Sequence, residues 1–161
     1  FMKKGLIRLR SAILVYLTHR IALPVLKVAR RPIAFNWSEL ELYQLPAGTL
    51  GHDLCQFLEK RNLALMKHYA RHDIKHVLLG YDTTDVGEAS LQCFMMGNGR
   101  LSFPVLATVI YSFVTMPEHW TKMKQAYREG KKCQSFHHWE WNDLMPVLTT
   151  ELRSKIFKTA I

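Results

Sequence analysis

The stretch Arg-His-Asp-Ile-Lys-His at residues 71–76 decides how this chain is expected to fold. Apolar residues recur around it at helical spacing and predict one helix over residues 62–79. On that helix His72 and His76 lie one turn apart on the same face. Asp73 is one position from the first histidine and three from the second, so its carboxylate is expected to lean into the same patch.

Glu88 follows after eleven further residues and is placed to complete this patch from a second helix. Gly80 is a typical residue just beyond a helix C-terminus, and Thr84 or Asp85 is a typical N-cap. Two imidazoles and two carboxylates form a mixed nitrogen and oxygen set that suits zinc, ferrous iron or manganese. Such a set leaves coordination positions open for water or a substrate oxygen.

Each of these residues also has an ordinary explanation. A histidine pair four residues apart can decorate a helix surface or a core without binding a metal. Asp73 can be a solvated residue. Glu88, three residues after Asp85, can complete a capping box and interact with the helix dipole. The four residues together at this spacing favour the metal site.

Helical periodicity continues along most of the chain. No internal repeat and no glycine-rich phosphate loop is present. The three cysteines are widely spaced without a Cys-x-x-Cys pair, which argues against a disulfide framework or a zinc ribbon. We therefore predict an all-α, single-domain bundle of about six or seven helices. Besides the helix at residues 62–79, helices are predicted over residues 37–43, 49–62, 85–96, 103–116, 118–129 and 147–158.

The helix predicted over residues 103–116 is apolar on nearly every side. It is shorter than the roughly 20 residues needed to span a bilayer. It is therefore expected to be a central buried helix or the wall of a lipid pocket. The residues that would line a groove for a prenyl tail are Phe103, Val105, Leu106, Val109 and Ile110.

Positive charge is concentrated at the N-terminus. Eight of the 22 Lys and Arg residues precede the first acidic residue, Glu39, and the remainder of the chain is nearly balanced. Residues 1–35 interleave these cations with apolar residues, as in an amphipathic helix that binds an anionic membrane surface rather than nucleic acid. The alternative is a helix that packs on the domain formed by residues 36–161.

The expected location follows from this arm. The protein should be peripheral on the cytoplasmic face of a membrane, or on the matrix side of the inner mitochondrial membrane in a eukaryote. Apolar helix surfaces also lead us to expect a homodimer.

Two segments resemble a known family. The pattern His-Asp-x-x-His at residues 72–76 with Glu88, and the segment Pro-x-Gly-Thr-Leu-Gly at residues 46–51, resemble the Coq4 family of ubiquinone (coenzyme Q) biosynthesis proteins. The resemblance covers residues 44–97, about a third of the chain.

This resemblance implies a mostly helical protein that acts on a prenylated aromatic ring, by an oxidative decarboxylation at ring carbon 1. It also implies partners: a prenylated quinone precursor or other isoprenoid lipid, and other proteins of quinone biosynthesis. No separate catalytic residue can be assigned. The implied ligands of zinc, or of a similar divalent metal, are His72, Asp73, His76 and Glu88.

Two other functions remain open at this stage. The first is a non-catalytic scaffold that binds lipid and organises a biosynthetic complex. The second is an HD-type metal phosphohydrolase, because His72 and Asp73 are adjacent. That enzyme also needs an upstream histidine, either His52 or His68, and a downstream Asp143. In the metal-site interpretation, His68 would support the ligands from outside the coordination shell.

Overall fold

The computed structural model describes residues 35–158 together with Gly5, Leu9, Ala12 and Ile13. Nearly all of the basic arm predicted over residues 1–35 lies outside these described residues. Within them the protein is all-α, which confirms the predicted class, and a 3-10 turn at Pro117–His119 joins α5 to α6. The α-helices are α1 (Glu39–Tyr43), α2 (Leu50–Glu59), α3 (Ala70–Leu79), α4 (Asp85–Gly97), α5 (Phe103–Thr115), α6 (Trp120–Lys132), α7 (Trp141–Leu144) and α8 (Thr149–Phe157).

Local sequence explains several helix ends. Ser38 caps α1 and forms a reciprocal capping box with Glu41. Thr84 caps α4 by accepting a hydrogen bond from the Gly87 backbone N–H at 3.2 Å. Gly80 ends α3 in the left-handed conformation, with φ of 75°, which a residue without a side chain adopts readily.

The predicted start of the third helix was wrong. α3 begins at Ala70, and residues 60–69 form the turns that connect it to α2. Asn62 has a φ of 53°, and the Leu63 backbone N–H donates to the Leu58 carbonyl at 3.0 Å, so the chain reverses where the periodicity predicted continued helix. Leu63 and Met66, which supplied part of that periodicity, are exposed.

The helices form two groups around one apolar core. α2 packs against α1 and α3, and α3 also contacts α8, whereas α4 packs most extensively against α6 and next against α5. Helices α4 and α6 approach closely at Gly97 and Gly130, whose Cα atoms face the partner backbone at Tyr127 and Phe94. The motif residues therefore lie where the two groups meet, on α3 and α4.

The Gly-Thr-Leu-Gly segment has a structural role at the start of α2. The backbone N–H groups of Leu50 and Gly51 donate to the carbonyls of Val147 and Met145, both at 2.9 Å. A side chain at Gly51 would collide with the side chains of Leu42 and Leu45. This segment thus fixes α2 against the chain that leads into α8.

Helix α5 contradicts the prediction of a central buried helix. Only Val105 and Ser112 of its 13 residues are buried. Of the residues predicted to line a prenyl groove, Val105 is buried, Val109 is partly buried, and the others lie on the exposed face. That groove therefore stays a prediction. The large exposed apolar residues are Phe103, Leu106, Ile110, Phe113 and Val114.

No helix in the described parts of the chain has both the length and the apolar character needed to cross a bilayer. The observation holds for α5 too, which has 13 residues.

Candidate metal centre

Three of the predicted ligands converge between α3 and α4. The Nε2 atoms of His72 and His76 are 3.0 Å apart. Glu88, on α4, places Oε1 3.0 Å from Nε2 of His76, and each of its carboxylate oxygens lies 3.2 Å from Nε2 of His72. Within the described residues, this is the one group of at least three His, Cys, Asp or Glu side chains whose ligand atoms lie within 4.8 Å of one another.

The backbone fixes the orientation of His76. Its Nδ1 atom lies 3.0 Å from the carbonyl oxygen of Tyr81, which can only accept a hydrogen bond. Nδ1 therefore carries a proton, and Nε2 of the neutral ring presents its lone pair to Glu88 and His72. Histidines that bind metals are commonly oriented in this way by a carbonyl or carboxylate on the other ring nitrogen.

The lone pairs of His72, His76 and Glu88 that converge here repel one another unless a positive charge lies between them. Burial alone would raise the pKa of Glu88, but hydrogen bonds and charge from His72 and His76 lower that pKa to about 2. Burial alone would lower the pKa of His76, but its hydrogen bond and charge interaction with Glu88 raise that pKa. The cluster thus holds a Glu88 carboxylate anion beside a His76 imidazole that takes up a proton. A bound metal cation would replace that proton.

The donor atoms fit a divalent ion. Ligand bonds of about 2.0–2.2 Å separate neighbouring donors by about 2.8–3.1 Å in an octahedral site and about 3.3–3.6 Å in a tetrahedral one. The observed donor separations of 3.0–3.2 Å lie within this span. Two imidazoles and one carboxylate are a set found with zinc and with non-haem ferrous iron. The His76 side chain is 0% exposed, whereas those of His72 and Glu88 are 16% and 24% exposed, so further ligands would enter from the side of these two residues.

Comparison with known proteins identifies the family. The family model for "Coenzyme Q (ubiquinone) biosynthesis protein Coq4" matches residues 63–159, which include all three clustered residues. The chain belongs to the Coq4 family. No curated protein matches the chain.

A solved structure shares the Coq4 fold. It is the crystal structure of a protein from Nostoc punctiforme PCC 73102 that is named for ubiquinone biosynthesis. The two chains align with a TM-score of 0.60 and 22% identity, over 94% of this chain and 80% of the other. At this identity the likeness supports the fold alone.

Asp73, which the resemblance to Coq4 implies as a fourth ligand, is not part of the three-residue cluster. It is buried on α3, and burial raises its pKa to about 6 although the nearby charges of His72 and His76 act to lower that pKa. One residue along a helix corresponds to a rotation of about 100°, which explains why its side chain diverges from that of His72. Its role as a ligand stays a prediction.

The other candidate residues lie apart from the cluster. His68 is exposed in the turn before α3. His52 contacts Gln56 at 3.2 Å and packs against the ring of Tyr43. Asp143 belongs to α7. None of the three belongs to a metal-compatible group in the described residues, so the phosphohydrolase set is not assembled there.

Sequence reasoning missed the residues that hold the two imidazoles of this Coq4 site. The ring of Phe57 stacks on His76 with centroids 5.8 Å apart, and the ring of Tyr69 lies 4.6 Å from that of His72. The Tyr81 carbonyl fixes the tautomer of His76. Phe57 had the spacing of an ordinary core residue, and a backbone carbonyl leaves no signal in a sequence.

A cavity of about 320 Å³ adjoins this region between α2 and the end of α3. It is lined by both acids and cations, among them Asp53, Lys60, Arg61 and Asp82. His76, Phe57 and Tyr81 are among the residues that line it, although the His76 side chain is 0% exposed to solvent.

Proposed function

We propose that this chain is a metal-dependent enzyme of ubiquinone or related prenylquinone biosynthesis, acting on a prenylated aromatic ring. The observation that carries the proposal is the convergence of His72, His76 and Glu88 at ligand spacing, with one side open to solvent. Membership of the Coq4 family supports the pathway, and the donor set supports metal chemistry at the open side.

The chain's own residues would organise the site. His76, held by the Tyr81 carbonyl, would present an unprotonated Nε2 atom, and the ring of His72 packs against Tyr69 beside it. The low pKa of Glu88, about 2, keeps its carboxylate charged at neutral pH. A divalent cation bound here would supply Lewis acidity toward a phenolate or carboxylate oxygen of the substrate. The buried surroundings of His76 exclude water on the opposite side.

The reaction proposed for this site is oxidative decarboxylation at ring carbon 1. The bond from that carbon to the carboxyl group breaks and carbon dioxide leaves. A ring carbon to oxygen bond forms in its place, with the oxygen taken from water. The two electrons and two protons released pass to an oxidant supplied from outside the chain, such as dioxygen, which is reduced to hydrogen peroxide.

The substitution Glu88→Gln tests the metal dependence. It keeps the size of the side chain and removes its charge, so metal content after purification should fall at least tenfold, in line with loss of a ligand. Turnover of a prenylated, carboxylated phenol in detergent should fall in parallel. Glu140→Gln, at an exposed position far along the chain, is the matched control and should leave both unchanged. Elemental analysis of the native protein identifies the metal.

The exposed apolar face of α5 favours a second candidate, a lipid-binding scaffold whose metal is structural. A structural metal contributes directly to folding. In that case Glu88→Gln would cause loss of the cooperative thermal transition. Retained folding with lost product formation would reject the scaffold, whereas full product formation without bound metal would reject the metal dependence of the enzyme.

A further inference from the structure

Helix α5 presents an apolar ridge that no other part of the described chain covers. Phe103, Ile110 and Val114 are 71%, 63% and 72% exposed, although they lie in a helix with no charged residue. Their spacing of seven and four residues places them on one face, opposite buried Val105 and Ser112. A contiguous apolar surface of this kind on a water-facing helix marks a binding site.

Helix α6 presents a row of cations. Lys124, Arg128 and Lys132 follow one another at one-turn spacing and line an open depression of about 490 Å³ together with Thr121 and Gln125. The three cations are exposed and form no ion pair with an acid of the described residues. They therefore offer a cationic surface, which the Glu129 carboxylate in the same depression compensates only in part.

The acids near these cations are few and already engaged. Glu129 lies in the row but accepts hydrogen bonds from Gln125 Nε2 at 3.0 Å and from the Tyr81 hydroxyl at 3.5 Å. Glu118, in the 3-10 turn, has His119 Nε2 at 3.8 Å from its carboxylate. The surface remains net positive.

An aromatic pair joins the ridge to the cationic row. The rings of Phe113 on α5 and Trp120 on α6 stack with centroids 4.4 Å apart and an interplanar angle of 6°. The indole N–H donates to the Phe113 carbonyl at 2.7 Å, and both side chains remain partly exposed. The helix that carries the apolar ridge and the helix that carries the cationic row therefore meet at this aromatic pair, which places a tryptophan at their junction.

We propose that this surface docks the protein on an anionic lipid bilayer, with the α5 ridge in the acyl region and the α6 cations among the phosphates. The charge pattern selects this occupant over a second copy of the chain, because a cationic row beside the ridge would repel its own copy and attract anionic headgroups. Tryptophan is enriched at the boundary between the two regions of a bilayer. The site is separate from the metal centre and does not depend on its chemistry.

The test uses the full chain and sedimentation with vesicles of either pure phosphatidylcholine or equal parts phosphatidylcholine and phosphatidylglycerol. The double variant Ile110→Ser, Val114→Ser should reduce binding to the mixed vesicles about tenfold or more, because less apolar surface enters the bilayer. The triple variant Lys124→Gln, Arg128→Gln, Lys132→Gln should reduce it by about fivefold per charge.

Matched controls are available on other surfaces. Leu40→Ser with Leu63→Ser removes two exposed apolar residues, and Lys60→Gln, Lys67→Gln and Lys158→Gln remove three exposed cations. Binding of the first control should stay within about twofold of native. The second control should lose markedly less than the α6 variant, because its charges do not adjoin an apolar ridge. Glu88→Gln should bind vesicles like the native protein, which separates this proposal from the proposed function.

Three results would overturn the proposal. The first is unchanged vesicle binding in both the α5 and α6 variants. The second is loss of binding only when Lys3, Lys4, Arg8 and Arg10 of the N-terminal arm are replaced by Gln. The third is a change from dimer to monomer in lipid-free sedimentation of the α5 variant, which would assign the ridge to a second copy of the chain.

Discussion

At the scale of single residues, the tautomer of His76 sets which nitrogen the candidate metal centre can use. The Tyr81 carbonyl keeps a proton on Nδ1, so any second proton must sit on Nε2, the atom that faces Glu88. The raised pKa of this histidine, in which the Glu88 contact outweighs the opposing effect of burial, means that the metal-free site retains that second proton to higher pH. A metal and this proton compete for one lone pair.

Metal binding should therefore release protons. While the Nε2 proton of His76 is displaced, affinity should rise by about tenfold per pH unit and level off once the pH exceeds the raised pKa. Calorimetric titration with zinc in buffers of different ionisation enthalpy counts the protons released. Tyr81 acts through its backbone, so Tyr81→Phe is a matched control that should give the same count. Binding independent of pH would show that Nε2 of His76 is not a ligand.

Asp73 should behave as a destabilising charge in the metal-free protein. Its pKa in the folded state is about 6, raised by burial from 3.8, so the folded state holds its proton more tightly than the unfolded state. This contribution to stability is present below the unfolded pKa and is lost as the pH rises through about 6.

The substitution Asp73→Asn should remove this pH dependence. Above pH 6 it should increase the free energy of unfolding of metal-stripped protein by on the order of 1–3 kcal/mol, and near pH 4 it should have little effect. Urea unfolding at the two pH values measures the difference. Elemental analysis of the same variant tests the ligand role, since an unchanged metal content would exclude Asp73 from the coordination sphere.

The convergence of His72, His76 and Glu88 was predictable at this scale because local backbone geometry decides it. His72 and His76 share a face of any helix that contains residues 72–76, whatever its boundaries. Glu88 needed only a turn at Gly80 and a helix start at Thr84, both of which glycine and threonine favour locally. The predicted convergence of the three side chains was therefore correct even though the predicted start of α3 was wrong.

At the scale of elements, the two misjudged helices show what periodicity cannot report. Leu63 and Met66 extended the helical pattern upstream, but Asn62 in a left-handed conformation let the chain reverse before α3. Helix α5 looked like a core helix because it is apolar on most sides, yet only two of its residues are buried. Hydrophobicity indicates that a surface avoids water, and it does not indicate which partner covers that surface.

The crossing of α4 and α6 should depend on Gly130. A side chain there would overlap the Phe94 carbonyl and approach the Asn98 backbone nitrogen, 3.0 Å from the added carbon. Alanine is favoured over glycine in a helix interior by about 1 kcal/mol, so a net loss of stability would show that the clash is larger.

We expect Gly130→Ala to lower the free energy of unfolding by about 1–3 kcal/mol, measured by urea titration. Gly5→Ala is the matched control, because an added carbon at Gly5 meets no atom within 4 Å. A more stable Gly130→Ala variant would mean that α4 and α6 separate at small cost, which their close packing contradicts.

At the scale of the whole molecule, the candidate metal centre lies between two helix groups that otherwise contact each other modestly. α3 packs mainly on α2, and α4 packs mainly on α6, whereas the direct packing of α3 on α4 is limited. His72 and His76 come from the first group and Glu88 from the second, so an ion bound by all three would cross-link the two groups.

This arrangement predicts where bound metal should change local stability. A ligand at about one hundred times its Kd stabilises the binding-competent state by about 2.7 kcal/mol, equivalent to about a hundredfold smaller population of the open state. Hydrogen exchange of the amides of α3 and of residues 80–84 should therefore slow by up to that factor when zinc is added to stripped protein. Amides of α6, held by α4 independently of the ion, should change much less. Glu88→Gln should abolish this slowing of exchange, and Glu140→Gln should preserve it. Equal protection of α3 and α6 would show that the two helix groups open as one unit, so that the ion does not link them.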